Sequence, residues 1–387
     1  MLMQAQAPSS RWGGIADSHF RPGGYFRVGR RDGVFWLIDP DGGRLLSKGV
    51  NTVRFDQDKI QNSERVPYAE ACQRKYGGQD AWRSAVNARL ASWGFNTLGS
   101  WSDEAVATAG PAPLALTPNL DLGMSFAWER KQAFPDVFDA KFEAHIRRRA
   151  RELCAARRED QSILGWFIDN ELRWGPDWRG PENLHALFLK YPKTSPGQRA
   201  ASAADPATFT AQVAERYFTL TVAAIKAADP NHLVLGCRFA LVPQPAVIAA
   251  AGRHADVISF NCYEVDASKS IEAYAAADKP CLIGEFSFRA IDSGLPNTNG
   301  AGPQVATQHQ RAASFRHYVT AALRHPTLVG YHWFEHADQP AEGRFDGENS
   351  NFGTVTIDDR VYEELTGTMT AANAEADAVH AAAGAAS

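Results

Sequence analysis

One feature constrains this sequence more than any other. A short apolar run, a polar loop and a stretch with helical spacing follow one another again and again along the chain. The apolar runs fall at 45–53, 96–100, 114–117, 163–168, 233–237, 257–261, 281–285 and 329–333. They are continuous rather than alternating, as expected of strands buried on both faces of a parallel sheet. Prolines at 111, 113 and 118 crowd the third run, and proline removes ladder donors. Between the runs, Phe142, Ile146, Ala150 and Leu153 recur at helical spacing, as do Phe209, Val213, Tyr217 and Leu220. Further helices are expected over 81–93 and 307–324. Alternating strand and helix in this number predicts an α/β fold, a (β/α)8 TIM barrel, in preference to an open doubly wound sheet.

Ahead of this pattern the spacing is different. Tyr25 to Val28 and Val34 to Ile38 flank Asp32-Gly33, and Asp-Gly between apolar runs signals a hairpin. A β-hairpin cap is therefore expected over 25–44, within a single catalytic domain at 21–365. Residues 1–20 read as a loose lead-in and 366–387 as an Ala-rich tail, a terminal helix that frays. The long inserts 173–202 and 290–306 follow the fourth and seventh strands, on the side where barrel enzymes build their sites.

Composition removes several classes of function. The net charge of −4 gives no reason to expect nucleic acid or anionic lipid as a partner. No apolar run reaches the length a spanning helix needs. Five scattered cysteines form no CxxC pair and no Cys/His cluster, so neither a metal nor another cofactor is expected. His332 and His336 are four apart, but they follow a strand, where that spacing does not bring them together. Met1 to Ser10 lacks a basic segment followed by an apolar one, so the chain as it stands reads as cytoplasmic. Ala5-Gln6-Ala7 resembles the end of a cleavage site, which would make the protein periplasmic or secreted.

Two acids stand where buried strands emerge. The fourth run ends Asp169-Asn170-Glu171 and the seventh ends Gly284-Glu285-Phe286. A carboxylate at the end of a buried strand is costly unless paired or protonated. Two that face one pocket can divide the labour of sugar hydrolysis, one donating a proton to the leaving oxygen while the other, ionised, attacks the anomeric carbon. A separation of about 5 Å would mean retention of configuration, and roughly 6.5–9.5 Å inversion. Each acid alone could equally be a salt-bridge partner. Asn170 could bind a sugar 2-hydroxyl or cap a loop. Tyr263 could orient Glu285, and Trp333 could floor the sugar site or simply pack. Glu335 is a third acid near the mouth, read as binding a hydroxyl. Trp101, Trp174 and Trp178 lie on rim loops, for stacking or for packing. Arg54 could meet a sugar or a neighbouring acid.

Several of these segments resemble one family. Asp169-Asn170-Glu171-Leu172-Arg173-Trp174 is similar to the acid/base region of the clan A agarases of glycoside hydrolase family 50. So are the stretch from Trp93 to Asp103, the hairpin from Trp36 to Asn51, and the late loop Asp338-Gln339-Pro340 with Asp346 to Gly353. The resemblance runs from about Tyr25 to Leu365. It implies a retaining hydrolase with Glu171 as acid/base and Glu285 as nucleophile. It also implies sugar contacts from Asn170, Tyr263 and the late loop, including Glu348 and Asn349. Members usually carry a large β-rich domain ahead of the barrel, where this sequence has the short hairpin. The expected substrate is a β-linked glycan or oligosaccharide of the β-galactoside, agarase-like type.

Two other readings compete. One is a glycan-binding barrel without catalysis, against which both strand-end acids count. The other is a clan A hydrolase for a different sugar, such as a glucosidase or mannosidase. An aldolase is disfavoured, because Lys48, the nearest candidate for a Schiff base, lies inside the first strand.

Overall fold

In the computed structural model of the chain, Asp32 and Gly33 both take positive φ, at 51° and 83°. That is the backbone of a two-residue hairpin turn. It lets Arg27–Arg31 (β1) pair antiparallel with Val34–Ile38 (β2), and Arg44–Leu45 (β3) adds a third strand on the far side of β2. The structure describes residues 10–17 and 19–386. The leader reading of residues 1–10, with Ala5-Gln6-Ala7, lies outside them but for Ser10. Residues 10–17 correct the expectation of a loose lead-in. Trp12 is buried against Phe26, and Ile15 bridges to Arg44.

Each expected apolar run contains a strand. They are Ser47–Val50 (β4), Thr97–Leu98 (β5), Ala115–Leu116 (β6), Gly165–Trp166 (β7), Leu233–Val234 (β8), Ile258–Asn261 (β9) and Cys281–Phe286 (β10). Arg289–Ala290 (β11) and Gln304–Val305 (β12) pair with each other inside the insert after β10, and Leu328–Trp333 (β13) completes the set. The architecture is mixed α/β with a parallel sheet of six strands in the order β6-β5-β4-β13-β10-β9. β7 and β8 form a separate parallel pair. The ladders are short for local reasons. Pro118 has no N–H to donate just beyond β6, and Gly236 takes φ 82° just beyond β8. Every residue of β4, β9, β10 and β13 is buried, as in strands covered on both faces.

The chain divides into two compact units. The first holds the described residues up to Thr117, Cys262–Ile271 and those from Ile283 onward; the second holds Pro118–Asn261 and Glu272–Leu282. In the first, the helix Glu363–Ala382 packs along Gln308–Leu323. The Ala-rich tail thus forms the expected terminal helix, and it is packed rather than frayed. Its His380 is fully buried and bonds the carbonyls of Leu323 and Phe35. In the second unit the long helix Pro206–Ala228 lies against Ala140–Cys154 and Pro245–His254. Asp205 caps it by accepting from Ala207 N and Thr208 N, with Pro206 at the first helical position. All five cysteines are buried.

Candidate active site

In the second unit the chain leaves β7 into Asp169, Asn170 and Glu171. Asp169 is fully buried and anchors the turn. Its carboxylate accepts from Gly123 N at 2.9 Å, Met124 N at 2.8 Å and the Tyr217 hydroxyl at 2.6 Å. Burial pushes this carboxyl up to about 7, against the lowering effect of those donors. Glu171 then adopts φ 53°, a left-handed conformation uncommon outside glycine, while its N–H donates to Arg238 O at 3.2 Å. Such a residue costs on the order of 1–3 kcal/mol and persists only where its surroundings hold it. The side chains continue the restraint. Asn261 Nδ2, at the end of β9, donates to Glu171 Oε1 at 2.9 Å. Arg238 Nε donates to Asn170 Oδ1 at 2.7 Å, its guanidinium over the Phe167 ring. Trp174 is buried; Phe218 stacks on its face, with Phe134 and Tyr217 at its edges. It packs beneath its loop. Trp178, on the same insert, is exposed.

In the first unit Glu285 is the penultimate residue of the fully buried β10. The Tyr263 hydroxyl donates to Glu285 Oε2 at 2.7 Å. Asn51, just past β4, ties the neighbouring strand ends together: its amide donates to Gly284 O at 2.9 Å and Trp333 O at 3.2 Å and accepts from Ser100 N at 2.9 Å. Trp333 is fully buried, and its indole N–H donates to Phe352 O at 2.9 Å. Its ring packs against Phe286 and Phe315. That arrangement is packing, in place of the sugar floor considered from the sequence.

Glu335 lies beyond β13 with no solvent exposure. Gln339 Nε2 donates to Glu335 Oε1 at 3.0 Å and to Glu348 Oε2 at 2.9 Å, while Glu335 Oε2 has no hydrogen-bond partner among the described residues. Arg344 joins the group, 2.7 Å from Glu348 and 3.8 Å from Glu335. Burial holds the Glu335 carboxyl well above its usual range, and nearby Asp58 adds to the effect. Burial likewise pushes Asp58 up to about 6, against the charge of Arg344. Asn349 bonds Thr298 and Asn299 and so joins two loops. Arg54 forms a two-pronged pair with Asp56, both contacts at 2.7 Å. Trp101 is partly exposed with φ 62°.

The sequence-derived residues therefore fall into two sets, Asn170, Glu171, Trp174 and Trp178 in the second unit and the others in the first. Asp169, Arg238, Asn261 and Arg344 were not singled out. The signal for Arg238 and Asn261 was weak, a polar residue at or just past the end of an apolar run. Arg344 offered none.

No family model matches the chain. Among solved structures it is similar to an exo-β-agarase, with a TM-score of 0.83 and 23% identity, covering 96% of this chain and 68% of that one. It is also similar to a crystallised agarase, with a TM-score of 0.81 and 26% identity, covering 96% and 66%. Among curated proteins it is 31% identical to β-agarase A of Vibrio sp. (strain JT0107), over 87% of this chain and 44% of that protein. The chain spans about half the length of the curated relatives it matches.

Proposed function

We propose that the chain is a retaining glycoside hydrolase of the agarase type, acting on a β-linked galactan or an oligosaccharide derived from one. Glu285 is the nucleophile and Glu171 the acid/base. The observation that carries the reading is the Tyr263–Glu285 hydrogen bond at 2.7 Å, at the end of a fully buried strand. A phenol donating to a carboxylate stabilises the anion that attacks the anomeric carbon. The acid/base must lose and regain a proton in the two half-reactions without moving far. The Asn261 amide on one Glu171 oxygen and the constrained backbone beneath it suit that task. Asn170, held by Arg238, is available to a sugar hydroxyl whose hydrogen bond strengthens as charge develops.

The fold belongs to the same proposal. Eight short parallel strands would close as a (β/α)8 barrel, with both acids at the strands' C-terminal ends. Parallel bridges between Asn119 and Phe167 and between Phe239 and Phe260 support that reading, as do the agarase structures to which the chain is similar. The chemistry asks for no cofactor. A panel of aryl β-glycosides and neutral β-galactan oligosaccharides, with the first-formed product anomer followed by NMR, tests the reading. Cleavage of β-galactosides with retained configuration is expected. An inverted product would remove Glu285 as nucleophile, and no turnover of any member would favour a binding protein.

A further inference from the structure

A cavity of about 410 Å3 opens in the first unit beside the ends of β4 and β5. Arg54, Phe55 and Asp56 line it from the loop after β4, and Ser102 and Asp103 from the loop after β5. Arg83 closes it from the helix Gln79–Ser92. Two guanidinium–carboxylate pairs face one space. Arg54 holds Asp56 with two bonds of 2.7 Å, and Arg83 Nε donates to Asp103 at 2.7 Å. Gln79 Nε2 also donates to Asp103, at 3.1 Å.

The lining specifies the class of ligand. A guanidinium has five N–H donors and a carboxylate about four lone-pair positions. Each arginine spends two donors on neighbouring carboxylates, Arg54 on Asp56 and Arg83 on Asp103 and Asp80, so donors and acceptors remain side by side. The two positive and two negative groups cancel, and the carboxylates oppose an anion. Alternating donors and acceptors around a neutral, roomy cavity match a ring that carries adjacent hydroxyls. Half-buried Phe55, held edge-on by Trp82 at 5.7 Å, supplies an apolar wall. Trp101 adjoins Ser102, and its φ of 62° in a bulky residue marks a backbone held in an unusual conformation beside the cavity.

Position gives the cavity a role. Strand β13 lies between β4 and β10, so β4 stands two strand spacings, about 10 Å, from the strand that carries Glu285. We infer that this cavity is a second carbohydrate-binding subsite. It holds an uncharged sugar residue of a chain whose scissile bond is at Glu285, and its catalytic relevance rests on the hydrolase reading above.

The test is calorimetric titration in an E285Q background, with a neutral β-galactan disaccharide and hexasaccharide and a sulfated hexasaccharide as probes. Arg54→Ala and, separately, Asp56→Ala should weaken the neutral hexasaccharide about tenfold and the disaccharide less than twofold. Circular dichroism melting identifies a variant that fails to fold, and the other then decides. Equal losses for both lengths, or no loss for the hexasaccharide, would overturn the subsite. Tighter binding of the sulfated probe would overturn the uncharged class. Hydrolysis by the unaltered chain is followed in parallel. A length-selective loss without hydrolysis keeps the subsite and removes the hydrolase reading, whereas hydrolysis with unchanged binding removes only the subsite.

Discussion

The Tyr263 hydroxyl stands 2.7 Å from Glu285 Oε2, joining the residue two beyond β9 to the fifth residue of β10. A hydrogen bond to a charged group is worth roughly 1.5–3 kcal/mol. Tyr263→Phe keeps the ring between Phe334 and Phe352 and removes only the donor. It should lower kcat by about 10- to 100-fold with little change in Tm. Steady-state kinetics beside thermal melting check this, and an unchanged kcat would leave the phenol a packing role.

Glu171 is expected to show the leaving-group signature of an acid/base. Glu171→Ala should reduce kcat/KM on natural oligosaccharides by about 10²–10⁴. It should affect an aryl glycoside with an acidic phenol much less, because that leaving group needs no proton. Added azide should restore turnover and yield a β-glycosyl azide. Equal losses on both substrates, with no azide product, would count against the assignment.

Asp169 has a pH signature of its own. Its carboxyl is pushed up to about 7, whereas an unfolded Asp titrates near 3.8. Between those values the folded protein carries a proton that the unfolded chain lacks. This group therefore favours folding at low pH, and its contribution declines as pH rises through the window. Asp169→Asn removes that dependence, so the Tm of the variant relative to the parent should rise between pH 4 and pH 8. A pH-independent difference would contradict it. Asp169 also anchors the turn leading to Glu171, so the same variant should lose activity through kcat.

Asp359 behaves in the opposite sense. It is fully buried and accepts from Tyr68, Tyr76, Lys75 and both terminal nitrogens of Arg89. Burial alone would raise its pKa; the hydrogen bonds and charge of Arg89 and the bond from Lys75 outweigh that and hold it below the usual carboxylate range. Its stabilisation is present above the ordinary Asp pKa and is lost as pH falls below it. Asp359→Ala leaves Arg89 without its partner and should cost about 3–5 kcal/mol. Denaturant unfolding at pH 7 and pH 3 measures both effects, and the penalty should shrink at the lower pH.

The contrast between these residues shows how far the sequence could be read. Glu285 and Glu171 were legible because each follows an unbroken apolar run, and a buried strand ending in an acid is a local pattern. The turn at Asp32-Gly33 was legible for the same reason. Asp359 was not, since its partners Tyr68, Lys75 and Arg89 lie some 270–291 residues away in sequence. Arg344 is likewise defined by Glu335 and Asp58, on other segments. For Trp174 and Trp333 the sequence left stacking and packing open. An aromatic on a rim loop or strand end suggests a stacking face, but only the fold reveals that Phe218 covers one and that Phe286 and Phe315 pack on the other. The Ala-rich C-terminal helix offered little apolar periodicity, and its burial depends on the surface it meets.

The nucleophile can be identified by trapping. A 2-deoxy-2-fluoro-β-galactoside with a good leaving group forms a glycosyl-enzyme that turns over slowly, and peptide mass spectrometry then locates the sugar. The account predicts one added fluorosugar per chain on the peptide carrying Glu285, and none in Glu285→Gln. Labelling of another carboxylate, Glu335 included, or turnover of the substrate with no covalent adduct, would contradict it.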